Sequence, residues 1–271
     1  MRTSLTALAL VAGLAAWGLS LAAASVLPEG GSLHRLAVLV GGSWSGYIQA
    51  GIYAVAVYAA LVLQRRRVAL RREAAALDQG LLPEQDQLVL TPDEVAGIKL
   101  EAIRRERGGN PTVVGELVKK ACAQFRNAND VGETLQVFQA QVATRKEAAE
   151  GELEVVRYLT GAVVSLGFIG TLLGLSSSIG LAHLAGTDAG MSAVTASLNL
   201  AFDTTLVALV VGLVVNLAYH AYLRELDTFY SRTRAYVIDN LISRIYRPEA
   251  VTRPRRNGAV RDGHALDLTG V

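Results

Sequence analysis

Thr171, Thr205 and Asp203 are polar groups set inside two long apolar stretches of the chain. A threonine hydroxyl both donates and accepts a hydrogen bond, so two of them brought together can relay a proton through a hydrated path, although neither carries its charge near neutral pH. Asp203 is the only ionisable residue well inside either stretch. A carboxylate at that depth is costly unless it is wet, paired or protonated. Two roles stay open for it: ion handling, with Thr204 and Ser178 as the neighbouring hydroxyls, or a structural contact between subunits or at a helix end. It sits about 200° around a helix from Thr205 and need not share its face.

The residues around these groups are small. Gly167, Thr171, Gly174 and Ser178 recur at three- and four-residue steps and share a helix face with Gly170 nearby, while Thr205, Ala208, Gly212 and Asn216 form a second face opened by Ser197 and Ala201. Small residues let helices approach closely in a bilayer, where no water-driven force assembles them. Ordinary packing accounts for the glycines, and a hydroxyl can also bond the preceding turn. The two faces could meet and enclose Thr171 and Thr205, and the chain is also expected to associate with copies of itself through the Gly167, Gly170 and Gly174 region.

Four apolar segments, 4–27, 36–63, 159–184 and 197–223, are long enough to position these faces in a membrane. A hydrocarbon core about 30 Å thick needs roughly 20 residues of helix. The fold class that follows is an all-α integral membrane protein with four transmembrane helices and a helical cytoplasmic domain between the second and third. The first segment has the outline of a signal peptide but runs longer than the usual apolar region of one, which favours a retained helix. Cations follow the second and fourth segments, at Arg65, Arg66, Arg67, Arg71 and Arg72 and at Arg224, Arg232 and Arg234. By the positive-inside rule those ends and both termini are cytoplasmic, and the connections 28–35 and 185–196 lie outside.

The organisation expected is a first transmembrane hairpin over 1–64, a cytoplasmic helical domain over 65–157, a second hairpin over 158–226, and a helix extension with a polar tail over 227–271. Within the cytoplasmic domain, Thr91-Pro92-Asp93-Glu94 reads as a capping box, Asp130 with Glu133 as another helix start, and Gly108-Gly109-Asn110-Pro111 as a break. The tail beyond Arg247 has the composition of a disordered segment. Arg104-Arg105-Glu106-Arg107 reads as a solvated face, and His183 and His220, at segment ends, as interfacial residues.

A formal net charge of +2 gives no reason to expect nucleic acid. There is no zinc-type ligand spacing and no phosphate-cradling glycine loop, so neither metal, cofactor nor enzymatic activity is expected. Cys122, the single cysteine, reads as a small core residue.

Val156-Arg157-Tyr158-Leu159 leading into Ser165-Leu166-Gly167-Phe168-Ile169-Gly170-Thr171-Leu172-Leu173-Gly174, followed by Ala201-Phe202-Asp203-Thr204-Thr205-Leu206, resembles the paired-helix core of the MotA/TolQ/ExbB family over about a quarter of the chain. The resemblance implies a bacterial inner-membrane proton-channel subunit in a complex driven by the proton motive force. It implies a homo-oligomer, a pentamer, around a dimeric single-span partner of the MotB/TolR/ExbD kind. It also matches Thr171 and Thr205 to threonines lining the route beside the partner's aspartate. No family role transfers to Asp203. The rival expectation is a membrane-anchored scaffold or signalling adaptor that conducts nothing. A solute transporter ranks lower, because no internal repeat of broken helices is evident.

Overall fold

In the computed structural model the described residues are 2–28, 31–41, 46–83, 89–109, 111–128 and 130–245; the tail beyond Arg247 lies outside them. They form α1 (Arg2–Val26), α2 (Ser32–Leu39), α3 (Tyr47–Asp78), α4 (Pro92–Arg107), α5 (Val113–Ala128), α6 (Val131–Gly151), α7 (Glu154–Leu181) and α8 (Asp188–Asn240). Four helical segments are long and apolar enough to cross a membrane. The protein is therefore an all-α membrane protein. It packs α1 on α3, α3 on both α7 and α8, and α7 along α8.

Two boundaries differ from the sequence reading. The second apolar segment is not one helix: α2 ends at Leu39, Gly41 takes φ +117°, and the crossing helix α3 begins only at Tyr47. That φ suits glycine, which has no Cβ to clash. Tyr53 also ties the break by donating from Oη to the Val40 carbonyl at 2.7 Å. The connection between the last two spans is likewise shorter than 185–196. A 3₁₀ turn Ala182–Leu184 follows α7, and α8 starts at Asp188 because the Thr187 hydroxyl accepts from the Gly190 N–H at 3.1 Å. This side-chain cap satisfies one of the orphan donors of the first turn.

α1 meets α3 through the same small-residue device used by the last two helices. A Cβ on Gly13 would lie 2.7 Å from both the Ala50 carbonyl oxygen and the Ala54 Cβ. α3 and α8 continue without interruption through residues 64 and 226, so their ends extend well past the apolar segments and join the polar region. There α4 packs on α5, α5 on α6, and α6 on α8. The core they share includes the fully buried Leu153, Val156, Val237 and Leu241, each contributing about 1.5–3 kcal/mol relative to exposure. The capping box of α4 is formed: Thr91 Oγ1 accepts from the Glu94 N–H, and the Glu94 carboxylate accepts from the Thr91 N–H at 2.7 Å. Those bonds hold the Glu94 carboxyl below the usual carboxylate range.

Cys122 belongs to this core, 2% exposed on α5. Burial pushes its thiol up to about 12, against a smaller opposing pull from Lys99. At neutral pH the thiolate, which is the reacting form, is then far scarcer than for an exposed cysteine. Cys122 in the folded protein is expected to resist iodoacetamide and to react fully only once the protein is denatured. Rapid labelling of the folded protein, read by mass spectrometry, would show the core around α5 to be open.

Candidate functional site

The glycines of α7 decide how near α8 can come. A Cβ on Gly170 would sit 2.5 Å from Thr204 Oγ1 and 2.7 Å from its Cβ, and one on Gly174 would sit 2.7 Å from the Ala201 Cβ. Gly167 abuts the Ala208 methyl in the same way, and Gly212 faces Val164. The face expected to join copies of the chain is therefore occupied within it: Gly167, Gly170 and Gly174 are buried against α8. The small faces of α7 and α8 thus meet within the chain, as their spacing allowed.

The closeness brings Thr171 and Thr205 into hydrogen-bond contact across the two helices. Thr171 Oγ1 also lies 3.3 Å from its own helix's Gly167 carbonyl and 3.2 Å from the Ala201 carbonyl of α8. Thr205 reciprocates, 3.1 Å from the Gly167 carbonyl of α7 and 3.4 Å from the Ala201 carbonyl of its own helix. The reciprocity has a sequence basis. Gly167-Phe168-Ile169-Gly170-Thr171 and Ala201-Phe202-Asp203-Thr204-Thr205 both place a small residue four positions before the threonine and a phenylalanine three before it.

Each hydroxyl has one proton and several acceptors within reach, so the donor direction in this cluster can reverse without moving a heavy atom. Both threonines are half-buried. Phe168 and Leu175, about a turn either side of Thr171, and Phe202 and Leu209, likewise placed about Thr205, are exposed. The pair thus lies beneath an apolar surface open to a neighbouring span.

The other polar residues singled out above lie elsewhere. Thr204 is fully buried against Gly170, and its hydroxyl donates to the Ala201 carbonyl of its own helix at 3.0 Å. Ser178 is buried two turns further along α7 and donates to the Val194 carbonyl at 3.3 Å. Asp203 is half-buried on α8, away from the threonine pair. α2, which carries Arg35, packs against α8, and no salt bridge joins Arg35 to Asp203 among the described residues. Asn216, at the end of the second small face, is exposed, and so are His183 and His220.

Sequence reasoning passed over Gln49. It is fully buried in α3 and neither of its amide atoms has a hydrogen-bond partner among the described residues. The available signal was a lone amide in an apolar run. Among the described residues no group of His, Cys, Asp and Glu side chains is arranged to hold a metal ion.

The described residues thus form a membrane protein whose spans α7 and α8 pack through glycine and bring two threonine hydroxyls into contact. Residues 110–235 match the model of the MotA/TolQ/ExbB proton channel family, in support of the resemblance drawn from the sequence. Members of that family are channels and transducers rather than enzymes. No curated protein and no solved structure matches the chain.

Proposed function

We propose that this protein is the proton-channel subunit of a complex driven by the proton motive force, acting with a dimeric single-span partner of the MotB/TolR/ExbD kind. The observation that carries the reading is the reciprocal, half-buried Thr171–Thr205 pair, between helices that Gly167 and Gly170 let approach closely. In this account several copies, five by analogy with the family, surround the partner in a bacterial inner membrane. Both termini and the domain over 65–157 are cytoplasmic, in keeping with the cations that follow α3's and α8's apolar segments. The partner supplies the titrating carboxylate. This chain supplies hydroxyls that solvate the proton as the carboxylate loads and releases it. The unbroken α8 carries displacement from the membrane to the cytoplasmic domain.

In this reading Asp203 is outside the path, since it stands about 200° around α8 from Thr205. Asp203→Asn keeps the shape and the hydrogen-bonding capacity but removes the charge. It is expected to leave proton-driven output within about twofold of the parent, a change of under 0.5 kcal/mol. Proton flux in energised vesicles measures it. Loss of flux with normal assembly would place Asp203 in ion handling instead.

A further inference from the structure

Where α3 and α8 run side by side beyond their apolar segments they leave a groove of about 520 Å³. Its floor includes Leu70, Leu77 and Phe229, and arginines line its rim. One of them, Arg232, is held by Asp78 at 2.9 Å, and the groove's Glu225 is held by Arg67 at 3.0 Å. Arg71 and Arg224 have no carboxylate partner among the described residues. An apolar trough with two uncompensated guanidinium groups calls for an occupant that is apolar and acidic.

Side-chain pairs across the bundle show which residues share a depth. Arg66 pairs with Glu152, Lys146 with Asp227, and the Tyr230 hydroxyl donates to the Arg145 carbonyl, so α6 runs opposite to α3 and α8. Arg71 lies five residues beyond Arg66, and Glu147 five residues before Glu152. Both are therefore about 7.5 Å further from the membrane than that pair. Glu147 is exposed and has no cation partner among the described residues. It stands about 180° around α6 from the buried Phe138, on the ridge that faces away from the chain's own core.

We propose that the α3/α8 groove of one copy receives the outward ridge of α6 from the next, with Arg71 of the first paired to Glu147 of the second. This rests on the oligomeric assembly proposed above. Rotation about the membrane normal leaves every residue's depth unchanged, so only groups of equal depth can meet in a ring, and these two do. Groove and ridge are different surfaces, and such a heterologous contact closes into a ring when its rotation divides the circle.

The test uses the full-length chain purified in detergent. With Arg71→Cys and Glu147→Cys together, a short bifunctional maleimide is expected to give a ladder of covalent multimers that neither single variant gives; buried Cys122 does not contribute. In native mass spectrometry, Arg71→Glu and Glu147→Arg are each expected to lower the oligomeric fraction, and the double charge swap to restore it. An intact oligomer with no ladder and no restoration would overturn the inference while leaving the assembly standing. Sensitivity to Arg71→Glu alone, with Glu147→Arg silent, would also overturn it by pointing to a different anion, such as an acidic lipid headgroup. A parent chain that is strictly monomeric with and without its partner would overturn the inference and the assembly together.

Discussion

Thr171→Val and Thr205→Val are each expected to cut proton-driven output at least tenfold while leaving expression and assembly close to those of the parent. The two halves of that expectation have different physical origins. Valine keeps the volume of threonine, and hydrogen bonds between membrane helices average only about 0.6 kcal/mol, so the hairpin loses little stability. Each change nevertheless deletes one of two hydroxyls that touch directly. The survivor then has only backbone carbonyls beside it, Gly167 and Ala201, which accept but cannot donate. A lost bridging bond worth about 1.4 kcal/mol in the rate-limiting arrangement is a factor of ten. The double variant should be no worse than the weaker single one, because the pair acts as a unit. Output and assembly are read together, by swimming, uptake or another driven process in cells and by native mass spectrometry on the extracted complex.

Gly170→Ala is the second large effect, and it acts on geometry rather than chemistry. One added carbon would lie 2.5 Å from Thr204 Oγ1 and 2.7 Å from Thr204 Cβ, and Thr204 is fully buried with no room to retreat. The helices must part, at a cost of about 3 kcal/mol, the upper end of overpacking penalties. Both the thermal stability of the detergent-solubilised protein and its proton-driven output should fall. Gly180→Ala is the control, since nothing lies within 4 Å of a Cβ there. It should be neutral or slightly stabilising, as alanine favours helix. Moving the space to the other helix, with Gly170→Ala and Thr204→Gly together, should recover part of the loss. Equal stability of Gly170→Ala and the parent would mean that α7 and α8 do not pack as closely as described.

Much of this site was legible before the fold was known. The steps of three and four that align Gly167, Thr171, Gly174 and Ser178 are set by helical geometry, and a small face on α7 opposite a small face on α8 leaves few other arrangements. What periodicity could not reveal is which partner a small face takes. A chain's own neighbouring helix and a second copy present the same chemistry to glycine; the sequence allowed both, and the structure shows the first. Helix boundaries near the span ends were also hidden. Gly41's φ of +117° splits what reads as one apolar segment, and the Thr187 cap starts α8 about two turns before its apolar stretch. Both depend on local backbone conformation that hydropathy does not register. Gln49 and Glu147 escaped for a related reason: what matters about each is its burial or its depth relative to groups far away in sequence.

Proton influx into vesicles containing this chain together with its single-span partner tests the central claim most directly. Vesicles holding a pH-sensitive dye, with an inward proton gradient and a counter-ion path, are expected to acidify faster with the parent complex than with the chain alone. The Thr171→Val and Thr205→Val complexes, assembled to the same extent, are expected to fall near the chain-alone rate. Parent-like influx in both threonine variants would contradict the hydroxyl-lined path, and no influx through a fully assembled parent complex would make the chain a membrane-anchored scaffold.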